Sequence, residues 1–239
     1  MKYLKLTLLS LTLLISSCTP AELQQVLGDV LDSGALTNKE IAGGLKQALE
    51  IGIGKGSDRL SALDGYFKSP YKILLPPEAR KITDKLQKVP GFSEVENILL
   101  EKINRGAEDA AKKAKPIFVN AIKQMTFEDA LSILMGADNA ATGYLNDKTN
   151  VQLYNAFNPV IVESLDKFNA RKYWADAIKT YNKIPFVQKA NPSLDDYVTT
   201  QALKGLFSMV EKEEANIREN VSARTTSLLK KVFAKQDEK

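Results

Sequence analysis

Apolar residues return at three- and four-residue steps along almost the whole chain, and no stretch alternates apolar and polar residues with β-branched enrichment. The first pattern gathers apolar side chains on one face of a helix, whereas a half-buried strand needs the second. The chain therefore reads as all-α, a single multi-helix, bundle-like domain. Two proline-containing stretches interrupt it: Tyr66 to Pro77, with Pro70 and Pro76-Pro77, and Lys183 to Val187 followed by Asn191-Pro192. Residues before a proline are pushed toward extended geometry, so these are expected to be short extended crossings between helices.

Local signals divide the rest. Leu23, Val26, Leu27, Val30 and Leu31 make a first stripe that Ser33-Gly34 ends. Thr37 with Glu40 predicts the start of a second helix carrying Ile41, Leu45, Ala48 and Leu49. Its glycines, Gly43, Gly44, Gly52, Gly54 and Gly56, either allow close helix approach or let the helix fray before Ser57. Short helices or turns follow from Glu78 to Lys88, and Pro90-Gly91 breaks the chain. Ser93 with Glu96 opens a helix to about Lys113, Pro116 opens the next, and Thr126 with Asp129 restarts the pattern until Gly136. Asp138 is expected to cap a helix through Leu145 and Thr149 another through Phe168, kinked at Pro159. A further helix covers Ala170 to Tyr181. Ser193 with Asp196 begins a strong one whose apolar face is Tyr197, Leu203, Leu206, Phe207, Val210 and Ile217, with Glu214 and Arg218 as a favourable i,i+4 pair. A basic helix from Arg224 to Lys235 precedes a polar tail. There is no internal repeat.

The N-terminus reads as an address. Lys2 and Lys5 precede an apolar run, Leu6 to Ile15, of signal-peptide length and too short to span a bilayer. It ends in Leu14-Ile15-Ser16-Ser17-Cys18, which resembles a bacterial lipobox, and the single cysteine of the chain falls where that processing requires it. The resemblance implies cleavage after Ser17, a diacylglyceryl group on the Cys18 thiol and anchoring to a membrane through the acylated residue. The expected organisation is 1–17 removed signal peptide, 18–36 anchored cysteine and N-terminal helix, 37–235 helical domain and 236–239 tail. Thr19 is not the Asp that resembles an inner-membrane retention signal, so the expected location is the periplasmic face of an outer membrane.

Composition narrows the chemistry. Without histidine there can be no Ser-His-Asp or Cys-His nucleophile and no His-ligated zinc. One cysteine permits neither an intrachain disulfide nor a cysteine cluster, so no metal and no cofactor is expected. The 33 Lys+Arg against 29 Asp+Glu are interspersed and form no basic stripe, which argues against a nucleic-acid partner. Gly52-Ile53-Gly54-Lys55-Gly56-Ser57 fails the phosphate-loop spacing and lacks a preceding strand.

What remains is sparse. Asp129 and Asp196, with Tyr197 and Lys123, are the candidate catalytic residues, because carboxylates in different environments can divide acid and base roles. Both acids lie in predicted first turns, where a carboxylate commonly satisfies free N–H groups. Tyr173, Trp174, Tyr181 and Phe186 form an aromatic patch beside the second crossing, a candidate ligand or partner surface, with core packing as the simpler account. Lys230, Lys231 and Lys235 could meet lipid headgroups or complement a helix end.

Several segments taken together resemble the bacterial family of unknown function DUF4197: Ala114-Lys115-Pro116-Ile117-Phe118, Ala121 to Ala130, Asn139-Ala140-Ala141-Thr142, Tyr181 to Phe186, Asp196-Tyr197-Val198-Thr199 and Ala223-Arg224-Thr225-Thr226 with Leu229 to Phe233. They lie in that order and cover most of the span from Leu36 to Phe233. The resemblance implies a predominantly helical protein, often secreted or lipid-anchored, and carries no activity or catalytic residue. The leading expectation is a non-catalytic, lipid-anchored module that binds an envelope protein or small ligand at the two crossings. The alternatives are a His-independent hydrolase or transferase and a membrane-remodelling helical bundle.

Overall fold

A computed structural model describes residues 36–77, 95–167, 169–183, 185–186 and 189–234. Cys18, the first apolar stripe, the segment from Glu78 to Lys88, Pro90-Gly91 and Ser93 lie outside these residues. Among the described residues the regular structure is helical: α1 Asn38–Ser61, α2 Val95–Ala111, α3 Ala114–Gln124, α4 Phe127–Met135, α5 Ala140–Asp166, α6 Ala170–Tyr181, α7 Leu194–Glu219 and α8 Ser227–Phe233, with a 3-10 turn at Val221–Ala223. The chain divides into two compact units between Thr37 and Asn38, and α1 to α8 belong to the second. The all-α, bundle-like expectation is met. No described helix is long and apolar enough to cross a membrane.

The core lies among the three long helices. α5 packs most extensively against α7 and α2, while α1 packs against α7, α3, α4 and α8. Leu45, Ile53 and Leu60 from α1 are buried, as are Leu153, Phe157 and Ile161 from α5 and Leu194, Val198 and Leu206 from α7. Phe118 of α3 meets Phe207 of α7 edge-on at 5.8 Å between ring centres.

α1 resolves the choice left open by its glycines. It runs unbroken past Ser57, because part of the glycine stripe is where neighbouring helices come closest. A Cβ on Gly44 would lie 2.5 Å from Val232 Cγ2 on α8, and one on Gly56 would lie 3.0 Å from Met209 Cγ on α7. Gly43 faces open space, with nothing within 4 Å. The adjacent pair therefore makes a controlled test. Gly43→Ala should stabilise the domain by about 0.5–1 kcal/mol through helix propensity, whereas Gly44→Ala should cost about 1–3 kcal/mol by overpacking the stiff valine. Urea unfolding of the two variants reads both signs.

Two expected helix starts, at Thr149 and behind Asp138, are not found. Residues 140–166 form one helix: Thr149 does not open a new one, because its hydroxyl donates to Leu145 O at 2.5 Å and stays within the helix. Pro159 sits inside α5, which continues through it. Asp138 is not the cap, since Asn139 holds that position and makes no side-chain cap bond. The acceptor for the α5 N-terminus comes from α7 instead: Glu214 receives the N–H groups of Ala141 at 2.9 Å and Thr142 at 2.8 Å, and the Thr142 hydroxyl at 2.8 Å. α7 begins behind Ser193 as expected, although Ser193 and Asp196 form no box: the Ser193 N–H donates to Asn191 Oδ1 at 2.9 Å.

Glu214 and Arg218 form the expected i,i+4 pair. Both are buried, with Arg218 donating to Glu214 Oε1 at 3.0 and 2.8 Å and to Ile133 O at the end of α4 at 2.8 Å. The carboxylate thus meets a helix N-terminus and the guanidinium a helix C-terminus, each the favourable sign for the helix dipole. Arg224 is also buried, and does not begin the last helix. It donates to Ile217 O at 3.0 Å and Arg218 O at 2.8 Å, closing α7, and lies 5.6 Å from the Phe233 ring centre. The helix that follows starts only at Ser227, behind a cap in which Thr226 Oγ1 accepts from Leu229 N.

Candidate functional site

The two crossings have different characters. The first is bound down along its length. Glu108 of α2 accepts the N–H groups of Tyr66 and Phe67, both at 3.1 Å, and Arg105 reaches Glu108 and Asp64, both at 2.8 Å. Asn104 receives the Ile73 N–H at 2.8 Å and donates to the Ile73 carbonyl at 2.9 Å, as a neighbouring strand would. Tyr66 donates to Ala202 O at 2.8 Å and Tyr197 to Leu74 O at 3.0 Å. Backbone groups that water would otherwise satisfy are paired with side chains of α2 and α7. That segment is part of the scaffold.

The second crossing is held at its two ends, and a groove lies beside them. Asn182 follows α6 and clamps Ala190 with two bonds, Nδ2 to Ala190 O at 2.9 Å and Ala190 N to Oδ1 at 2.8 Å. Trp174, buried on α6, donates from its indole N–H to Asn191 O at 3.2 Å. Beside these ties an open groove of about 480 Å³ is lined by Ala175, Lys179, Asn182, Lys183, Lys189 and Pro192. Lys189 Nζ donates to Asn182 O at 2.6 Å on its edge. Phe186 projects fully into solvent from a backbone with φ of 64°. A left-handed conformation is costly for a bulky aromatic residue, and full exposure of its ring is a second cost at the same position.

Of the aromatic patch read from the sequence, then, Trp174 belongs to the core as an anchor and Phe186 to the surface. The side chains of Tyr173 and Tyr181 lie outside the described residues. Sequence reasoning missed the three lysines of the groove, although a signal was there: no Asp or Glu occurs from Ala177 to Leu194, a span holding Lys179, Lys183 and Lys189.

The candidate catalytic residues occupy separate places. Lys123 closes α3, where its carbonyl accepts from Lys46 at 3.2 Å, and Asp129 opens α4. Asp129 completes a reciprocal capping box, accepting the Thr126 N–H at 2.9 Å while its own N–H donates to Thr126 Oγ1 at 3.0 Å. The Thr126 backbone N–H, helped by the charge of Lys148, holds its carboxyl below the ordinary 3.8. Asp196 and Tyr197 open α7 and point apart, as neighbours on a helix must. Asp196 accepts from the Tyr154 hydroxyl at 2.7 Å and from Asn191 at 3.1 Å, whereas Tyr197 turns to the first crossing.

That hydrogen bond to Asp196, together with burial, pushes the Tyr154 phenol up to about 12. Tyr154 is therefore a neutral donor over the physiological range and no base. Tyr144, which the Asp129 carboxylate faces, and Tyr154 are separated by roughly 15 Å of α5. The two candidate carboxylates consequently share no cleft, and a proton could not pass directly between them. Beside Asp196, Asp195 accepts from Asn158 at 3.3 Å and lies 3.7 Å from Arg171, which also binds Asp166 at 2.7 and 2.6 Å. These groups tie α5, α6 and α7 together. Among the described residues no set of three His, Cys, Asp or Glu side chains could hold a metal ion.

A family model described as protein of unknown function (DUF4197) matches residues 35–234. No curated protein and no solved structure matches the chain.

Proposed function

We propose that this chain, which belongs to the DUF4197 family of proteins of unknown function, is a lipid-anchored envelope protein acting as a non-catalytic interaction module. Its anchor is acylated Cys18 and its place is the periplasmic face of the outer membrane. The supporting observation is the contrast between the crossings. The candidate carboxylates are engaged in capping and helix-to-helix bonds, and the first crossing is fastened to the scaffold. The second leaves a groove rimmed by three lysines beside a fully exposed phenylalanine. Binding surfaces are concave and placed on rigid elements, and this one rests on α6 and the start of α7. The hydrolase or transferase reading would need Asp129, Asp196 and Lys123 in one cleft, and they stand at two different helix starts and a helix end.

The test is crosslinking in cells, with a photoreactive side chain placed at Lys183 and, as a control, at Lys55 on the exposed part of α1. The native chain is compared with a form secreted behind a conventional cleavage site and carrying Cys18→Ala. Adducts specific to position 183 and lost with the acyl group are the expected result. The same adducts from both positions, or from both forms, would remove the module reading.

A further inference from the structure

We infer that the second crossing docks the protein onto an anionic phospholipid surface, with Phe186 entering the headgroup region and Lys179, Lys183 and Lys189 facing the phosphates. The inference rests on the reading of this groove as the binding face, and does not require the acyl anchor. Charge complementarity commits it to that occupant: three lysines crowd a stretch that holds no carboxylate from Ala177 to Leu194, and all three line the groove. An exposed aromatic ring flanked in sequence by cations suits an interfacial segment, since the ring can enter the boundary layer while ammonium groups stay at phosphate depth. A small anion in the groove would use the lysines and leave Phe186 unexplained. A bilayer surface uses both, and accounts for a fully exposed ring held at a φ of 64°.

The segment is also placed to act as a unit. The Asn182 clamp on Ala190 and the Trp174 bond to Asn191 fix the two ends of the crossing, so Lys183, Phe186 and Lys189 follow one another between fixed ends. Pro185 and Phe186 are exposed, as are Lys183 and Lys189. In sequence, residues 184–187 carry no charge.

The experiment uses the secreted Cys18→Ala chain, which has no acyl group, with sealed vesicles of phosphatidylcholine alone or mixed with phosphatidylglycerol. Sedimentation should show binding to the mixed vesicles only, weakened by salt, with the vesicles remaining sealed. Phe186→Gly should weaken binding about tenfold while thermal stability is unchanged or raised, because glycine accepts the left-handed backbone without strain. Phe186→Trp should retain binding and show a blue-shifted emission on vesicles. Lys179→Gln, Lys183→Gln and Lys189→Gln together should abolish both binding and its salt dependence, and Lys55→Gln should change nothing. Absence of binding by the unsubstituted chain overturns the inference, and so does binding that survives Phe186→Gly and the triple substitution. If vesicle binding fails while adducts at position 183 persist in cells, the groove serves a protein partner and only the lipid assignment falls. If the adducts fail as well, the module reading falls with it.

Discussion

Glu214→Ala should lower the stability of the domain by about 3–5 kcal/mol, the range seen when one partner of a buried ion pair is removed. The substitution takes the acceptor from four groups at once, the Thr142 hydroxyl among them. Arg218 keeps its charge in a buried position, and the N–H groups of Ala141 and Thr142 lose their acceptor at the start of α5. In urea the midpoint should fall with an unchanged slope, because the folded state remains compact. A fall in melting temperature of roughly 10 °C is the expected scale for a domain of this size. Glu214→Gln should be nearly as damaging, since an amide offers one acceptor where the structure uses two carboxylate oxygens. Replacing both partners, Glu214→Leu with Arg218→Met, should cost less than the sum of the single changes and still not reach the parent, because the ends of α4 and α5 remain unsatisfied. A loss below about 1 kcal/mol for Glu214→Ala would show that this joint does not hold α4, α5 and α7 together.

The same joint marks the limit of what the sequence discloses. Thr126, Asp129 and Gly136 delimit α4 by local chemistry, and the structure forms that box and that stop; α6 also spans Ala170 to Tyr181 as its apolar period indicates. Glu214 and Arg218 read as a favourable i,i+4 pair, and the pair forms, but their spacing says nothing of its burial. Nothing local says that the end of α4 and the start of α5, 72 to 85 residues earlier in the chain, meet at that face. The same reason hid the break that was absent at Thr149, where a hydroxyl returning to its own helix looks identical in sequence to one that opens a new helix. Asp196 looked like a cap, yet its partner Tyr154 lies on another helix. At the second crossing the lysines and the acid-free span were legible, but a phenylalanine between prolines reads as core until the fold shows that no neighbour covers it.

Glu108→Ala should also rank among the most damaging single changes, about 3 kcal/mol or more, with a loss that is local first. Glu108 is buried and accepts two consecutive backbone N–H groups, Tyr66 and Phe67, in addition to Arg105. Without it those donors have no replacement, and the bonds from Tyr66 to Ala202, between Asn104 and Ile73, from Tyr197 to Leu74 and from Arg105 to Asp64 must hold the crossing. Hydrogen exchange should therefore report loss of protection at Tyr66, Phe67 and Ile73 before the core of α5 and α7 opens. Limited proteolysis should cut within residues 62–77. Arg105→Ala should do less, because Arg105 is only partly buried and Glu108 keeps its backbone donors. If the exchange change instead spreads evenly over all helices, the first crossing is not a separate unit. The vesicle experiment adds a second readout: Glu108→Ala, assayed below its melting temperature, should bind anionic vesicles as the parent does. That result would assign anchorage of the scaffold to the first crossing and surface recognition to the second, although the two begin as the same kind of proline-broken sequence. The difference lies in what faces them: α2 offers Asn104, Arg105 and Glu108 to the first, whereas among the described residues the second is tied through Asn182, Ala190 and Asn191 at its ends.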